Sequence, residues 1–301
     1  MPNKFTALPV LTVPIKVFIM KLRGIMTKEE IAEKLNIEKS TITKTSAWAA
    51  ENSADLEKYT TYLLKGKCRA VKDFSPLAKL ALVINALPYV YKKYSDKNID
   101  KKIFFDTFSD IAIWCENARE QYGVEGLVNI NWISKHISMK IFRIGRLQYE
   151  FSRFAILPHA GIKNILSCPY ILGEKCITLH IPQGEKLDND ACKKSLGLAD
   201  SFFSEHYPDY KYRCYTVITW LLNPELENVL GNESNIVKFG KMFKLLGRVP
   251  DSDMNERRVF GYKKDRKNYK PINALQKYTL ERINKGLPLY SYNGYRDKTN
   301  N

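Results

Sequence analysis

A β-branched run, Cys176-Ile177-Thr178-Leu179-His180-Ile181, stops in the loop Pro182-Gln183-Gly184-Glu185-Lys186-Leu187, which opens onto an amphipathic helix beginning near Asp188. A second strand, Tyr212 to Leu222, and a second helix follow, so this half of the chain carries sheet and helix together. A strand that ends in a glycine-containing loop at a helix N-terminus leaves several N–H groups without intrahelical partners. It also presents the positive end of the helix dipole, and such a place suits a phosphate or pyrophosphate. Enzymes that use nucleotide-tailed molecules often hold the tail in this way.

The preceding residues read differently. Thr27 with Glu30 three residues on forms a capping box for a helix over Lys28 to Leu35, and Ser40-Thr41-Ile42-Thr43 starts another. Further helices are predicted over Asp55–Leu64, Pro76–Ala86 (apolar all round, ended or kinked at Pro88), Asp100–Tyr122 and Asn131–Met139. The pattern changes at Lys140. Ile141 to Phe154 reads as a strand or hairpin arm, and helices cover Pro224 to Phe243 with a break at Gly231-Asn232. A hairpin-like piece pairs Leu245–Val249 with Arg257–Tyr262 across Pro250-Asp251-Ser252-Asp253, and a last helix spans Ile272 to Lys285 before a Tyr/Gly/Asn-rich tail read as partly ordered. The expectation is an α+β protein: a helical N-terminal domain, residues 1–139, packed on a mixed-sheet domain, residues 140–301.

Composition removes several classes. The 301 residues are 45% hydrophobic and 12% aromatic, which describes a globular chain. Its longest apolar runs, such as Leu80 to Leu87, fall far short of the ~20 residues that cross a bilayer, and the N-terminus lacks a secretory pattern. No membrane role is expected, and the chain reads as cytoplasmic. Six cysteines without a C-x-x-C pair and four histidines without H-E-x-x-H give no metal site and no disulfide framework.

The formal charge of +16 suits an anionic partner or a lysine-rich proteome, and its densest patch is Lys263-Lys264-Asp265-Arg266-Lys267. The first two helices resemble the start of a helix-turn-helix. The next segment, however, leads into Trp48-Ala49-Ala50 instead of an Arg/Lys/Gln-rich recognition helix, so nucleic-acid binding is the alternative reading and not the main one.

Read in order, the second half is β, β, α, β, α, β, β, with the local strings FRIGRLQYE (Phe142 to Glu150), HIPQGEKL (His180 to Leu187), SLGLADSFF (Ser195 to Phe203), TWLLNPEL (Thr219 to Leu226) and SNIVKF (Ser234 to Phe239). Upstream lies DTFSDIAIW, Asp106 to Trp114. Over residues 75 to 285 the chain resembles a bacterial acyltransferase-domain family, with a helical N-acyltransferase N-terminal domain and a GNAT-like C-terminal domain. The resemblance implies transfer of an acyl group from a thioester to an amine. The donor would be acyl-CoA or a phosphopantetheine-linked acyl group on an acidic carrier protein, and the acceptor a small-molecule or peptide amine, in a setting such as specialised-metabolite biosynthesis. The wider superfamily's phosphate loop reads Gln/Arg-x-x-Gly-x-Gly/Ala, whereas this loop has Gly184 alone with Pro182 ahead of it.

That chemistry needs donors for the pyrophosphate, a proton acceptor for the ammonium and polar contacts for the developing oxyanion. The amides of Gln183, Gly184, Glu185, Lys186 and Leu187, helped by the Lys186 ammonium, are the expected donor site, with Asp188 as helix N-cap. His180 is the leading base, against a structural tie to loop backbone, and Glu150 is its alternative. Arg146 and Gln148 are expected to recognise a substrate carboxylate or amide, against a satisfied polar pair at the interface of the two halves, and Trp220 to pack in the core or wall the acyl slot. Ser234 and Asn235 fit a helix N-cap or the site, with Ser234 placed to protonate the leaving thiolate. Cys214 reads as a small core residue, and direct transfer in a ternary complex is favoured over a covalent thiol route.

Overall fold

The computed structural model describes residues 26–261 and 265–298. The proline-punctuated segment Leu8 to Pro14 and the lysines Lys263 and Lys264 of the basic patch lie outside the described residues.

Capping fixes where the chain first turns helical. Thr27 accepts from the Glu30 N–H and the Glu30 carboxylate accepts from the Thr27 N–H, so α1 (Lys28–Lys34) begins on the expected capping box. α2 (Lys39–Glu51) and α3 (Ser53–Leu64) bury Ile42, Ala49, Leu56 and Leu63 and pack, with α1, against α4 (Pro76–Asp96). The face that a DNA-binding pair would keep free is therefore in part spent on the core.

α4 does not end at Pro88 as the sequence suggests; the proline lies inside a helix of 21 residues. An internal proline costs about 3 kcal/mol. Val90 and Tyr94 beyond it are fully or almost fully buried, and burial of such side chains contributes about 1.5–3 kcal/mol each, enough to keep the helix going.

The single helix expected over 100–122 is divided at Ser109 into α5 (Lys101–Phe108) and α6 (Asp110–Tyr122). The Ser109 hydroxyl donates to the Asp106 carbonyl at 2.7 Å, a back-bond that competes with the helical ladder. α6 ends at Gly123, whose φ of 66° is left-handed, and α7 (Ile130–Ile137) starts on an Asn129 side-chain cap.

From Ile141 the chain builds a six-stranded sheet. Its elements are β1 (Ile141–Ile144), β2 (Leu147–Arg153), α8 (Ile162–Leu166), β3 (Lys175–His180), α9 (Asn189–His206), β4 (Cys214–Thr219), α10 (Leu226–Leu230), α11 (Asn235–Gly240), β5 (Lys244–Pro250), α12 (Ser252–Phe260), α13 (Ala274–Asn284) and β6 (Tyr290–Asp297). The order across the sheet is β1-β2-β3-β4-β6-β5, with β3 and β4 parallel and every other pair antiparallel. A parallel pair needs a crossover, and α9 supplies it. The α+β organisation is as expected.

Two expectations about the last third are corrected. Arg257 to Phe260 are not a hairpin arm; they are helical, the end of α12, and Phe260 stacks on Tyr269 with ring centroids 4.2 Å apart. β5 pairs instead with β6, which is the segment read as a partly ordered tail. Gly294 explains the fit, because a Cβ there would meet Leu222 Cδ1 at 2.7 Å. A larger residue would have to displace the Leu222 side chain for this strand to lie between β4 and β5.

One sheet face is covered by α9 through the buried rings of Phe142, Tyr149 and Phe203. The Ser195 hydroxyl closes the β1–β2 turn by donating to the Ile144 carbonyl and accepting from the Leu147 N–H at 3.1 Å. The opposite face carries Gln148, Glu150 and His180 and meets α6 and α7.

Candidate active site

The parallel strands β3 and β4 pair only as far as Leu179 and Val217, although they run on to His180 and Thr219. Ile218, on the interior strand β4 and paired on its other side with Asn293 of β6, is 51% exposed and lines the gap. The gap opens into a cleft of about 600 Å³. Leu179, Ile181, Ile218, Trp220 and Met254 give it an apolar side, while α6 and α7 form the opposite wall with Asp110, Trp114, Asn117 and Trp132. Three of the chain's four tryptophans line this one space.

The loop at the end of β3 is held from behind. Arg146, in the β1–β2 turn, donates from Nε to the Lys186 carbonyl (2.8 Å), from Nη1 to Pro182 (3.2 Å) and from Nη2 to Glu185 (2.8 Å). With those carbonyls turned inward, the N–H groups of Gln183 to Leu187 form no main-chain hydrogen bond of ordinary geometry to any described residue. Gly184 sits at φ 98°, where a side chain would strain the loop. Asp188 caps α9 by accepting from the Ala191 N–H at 2.7 Å, so the loop's amides and the dipole of an 18-residue helix converge. The Glu185 carboxylate is drawn aside by Arg143 at 2.5 Å, and the Gln183 side chain accepts from Arg258 of α12 at 2.8 Å.

His180 and Glu150 form a pair beside the gap. Gln148 lies directly opposite His180 in the β2–β3 register and Glu150 two residues further on, so all three share a face. His180 Nε2 is 2.8 Å from Glu150 Oε2, and Lys135 of α7 holds the same carboxylate at 2.8 Å. Burial raises the Glu150 pKa, but the hydrogen bonds from His180 and Lys135 outweigh it and hold the carboxyl below its ordinary range. An ionised Glu150 can accept a hydrogen bond from an Nε2–H, and Nδ1 bonds to no described residue. The Trp132 ring packs edge-on against His180 with centroids 4.9 Å apart, and its indole N–H donates to Asp110 Oδ2 at 2.8 Å.

Of the residues expected from sequence, the cleft brings together His180, Gln148, Trp220, Gln183 and Glu185, with Glu150 behind His180. Gly184 faces a second cavity on the other side of the loop, together with Arg143 and Lys102. Lys186 and Leu187 belong to the same loop but line neither cavity. Arg146 lines neither cavity: its guanidinium is committed to three carbonyls of the 182–187 loop, which does not suit the expected reading of a substrate carboxylate. Ser234 and Asn235 stand at the start of α11, away from the lining of the cleft, because α10 and its flanking turns carry the chain past the end of β4 first. Cys214 is a buried core residue.

Sequence reasoning missed Asp110, Asn117, Trp132, Lys135 and Arg258. The 110/113/114/117 spacing on one helical stripe was the available signal. Among the described residues no group of side chains could hold a metal ion, and no helix is long and apolar enough to cross a membrane.

Comparison with known proteins gives two family matches: a GNAT-like C-terminal domain over residues 141–296 and an N-acyltransferase N-terminal domain over residues 22–139. Among solved structures, an acyltransferase in complex with decanoyl-CoA and teicoplanin is similar at 19% identity and a TM-score of 0.74, over 94% of this chain and 95% of that one. A mutant acyltransferase in complex with octanoyl-CoA is similar at 18% identity and a TM-score of 0.73, over 96% and 97% of the two chains. At these identities the likeness is one of fold. No curated protein sequence matches the chain.

Proposed function

The chain belongs to the family that joins an N-acyltransferase N-terminal domain to a GNAT-like C-terminal domain, and from that premise we propose that it transfers an acyl group from acyl-CoA to an amine directly, in a ternary complex. The observation that carries this reading is the parting of β3 from β4 beside a loop whose amides have no main-chain partner among the described residues. A pantetheine arm can lie in the gap with its thioester near Ile218, while the pyrophosphate takes the N–H groups of Gln183 to Leu187. Arg258 and Lys186 add positive charge beside it. The neighbouring structures with decanoyl-CoA and octanoyl-CoA support a medium-chain acyl group, which the apolar side of the cleft, Trp220 and Met254 included, would accommodate.

His180 Nδ1 takes a proton from the acceptor ammonium, the amine attacks the thioester carbonyl and a C–N bond forms; the C–S bond then breaks, and the extra proton on the new amide nitrogen passes to the departing sulfur, so that CoA leaves as the thiol. Glu150 fixes the imidazole tautomer and offsets the charge it acquires, and Lys135 and Trp132 fix the pair. The helical part, 1–139, and the sheet part, 140–301, supply opposite walls of the acceptor site. The acceptor is an amine-bearing small molecule or peptide, in keeping with the teicoplanin bound by one neighbour. A carrier protein would present the same pantetheine arm without the nucleotide, and a chain of charge +16 would attract an acidic one.

The test is incubation with a panel of acyl-CoAs, acyl carrier proteins and amines, read by free-thiol release and product mass. Amine-dependent thiol release supports the reading. Failure to bind CoA or any pantetheinylated carrier would refute it.

A further inference from the structure

Helix α6 presents Asp110, Ile113, Trp114 and Asn117 along the cleft wall opposite the parted strands. Two side chains of this cleft are buried donors short of partners among the described residues: Nδ2 of Asn117, a residue 4% exposed, has none, and the amide of Gln148, 1% exposed, has only the neighbouring Asp110 carboxylate, which leaves one of its two N–H bonds over. An orphaned buried amide costs about 1–3 kcal/mol, and folded proteins keep few of them. Two facing one cleft point to a ligand with oxygen acceptors.

Asp110 has the complementary chemistry. Its Oδ2 accepts from the Trp132 indole at 2.8 Å and lies 3.2 Å from His136 Nε2, while its Oδ1 makes no hydrogen bond of ordinary geometry to a described residue. Burial raises the Asp110 pKa, but the hydrogen bonds and charge of His136 and the hydrogen bonds from Gln148 and Trp132 together hold it below the ordinary carboxylate range. A buried anion is therefore kept in the acceptor half of the cleft, with Gln148 beside it.

We infer that Asp110, Asn117 and Gln148 form an acceptor subsite, in which Asp110 holds the ammonium and the two amides donate to an oxygen on a neighbouring carbon. The acceptor class is then a primary amine flanked by a carbonyl or hydroxyl oxygen. This rests on the acyl-transfer reading above. Trp132 ties the subsite to the base, since it bonds Asp110 through its N–H and packs on His180 at 4.9 Å, and Gln148 stands directly across the register from His180. An ammonium on Asp110 is thus delivered beside the group that deprotonates it. Trp114, 6.4 Å from Trp132 between ring centroids, gives an apolar wall for the acceptor's C–H face.

The experiment uses decanoyl-CoA as donor and glycinamide, 2-aminoethanol or propylamine as acceptor, with CoA affinity measured separately by calorimetry. The wild-type chain should favour one or both oxygenated amines over propylamine by about tenfold or more in kcat/KM. Whichever of the two is preferred separates a peptide terminus from an amino alcohol. Gln148→Met and, independently, Asn117→Leu should bring the preference towards unity. Asp110→Asn, which retains an acceptor for the Trp132 indole, should raise the acceptor KM without changing CoA affinity. Loss of CoA binding in the wild type would sink the transfer reading itself. Normal CoA binding with equal use of all three amines, with transfer to none of them, or with an unchanged acceptor KM in Asp110→Asn would overturn the subsite alone.

Discussion

Replacing Arg146 with alanine removes three charge-assisted bonds from the loop proposed to hold the donor, to the carbonyls of Pro182, Glu185 and Lys186. Glu185 and Lys186 are exposed and their carbonyls can rehydrate, whereas Pro182 is buried. Counting about 1 kcal/mol net for each bond gives about 3 kcal/mol, or roughly a hundredfold. That energy now holds the N–H groups of Gln183 to Leu187 outward, so its loss should appear as weaker donor binding. The assay is calorimetric titration of CoA into wild-type, Arg146→Ala and Arg146→Lys proteins, with the acceptor KM measured at saturating donor. Both variants should lose CoA affinity, the lysine less severely because it keeps the charge but not the three-pronged geometry. If CoA affinity stayed within about twofold while the acceptor KM rose, Arg146 would be reading a substrate carboxylate after all, and the account of the loop would be wrong.

Gly184→Asp should abolish CoA binding, since it places a carboxylate against the pyrophosphate site and forces a side chain onto φ 98°; a normal CoA isotherm would contradict this. His180→Ala should lower kcat by about a hundredfold or more with CoA affinity kept, and an unchanged rate and pH profile would remove His180 from the chemistry. The lowered pKa of Glu150 contributes stability that is fully present above the unfolded value of about 4.3 and is lost as pH falls through the folded value. Denaturant midpoints measured between about pH 3 and 6 should therefore fall less steeply in acid for Glu150→Gln than for the wild type.

Features governed by neighbouring residues were readable from the chain. The Thr27–Glu30 box, the Asp188 cap and the strand–loop–helix around Gly184 all stand where local chemistry puts them. What required the third dimension was less accessible. β6 carries a Tyr/Gly/Asn-rich sequence typical of a loose tail, and it becomes an interior strand because Gly294 admits Leu222 and two partners satisfy its backbone. α12 contains Arg257-Arg258-Val259-Phe260, short enough to pass for a strand until Phe260 finds Tyr269. Arg146 looked like a ligand because a guanidinium suits carboxylates; only the fold shows that it faces three carbonyls of its own chain. The stripe on α6 was hidden because Asp110 and Asn117 read as an ordinary polar face, and the cleft they line exists only once the sheet lies opposite.

The most direct measurement is a crystal structure of the chain with decanoyl-CoA bound. The account requires the pantetheine arm between β3 and β4, its thioester beside His180, and the pyrophosphate on the amides of Gln183 to Leu187. A nucleotide bound away from that loop, or β3 and β4 zipped together past Leu179 and Val217 with the thioester elsewhere, would contradict it.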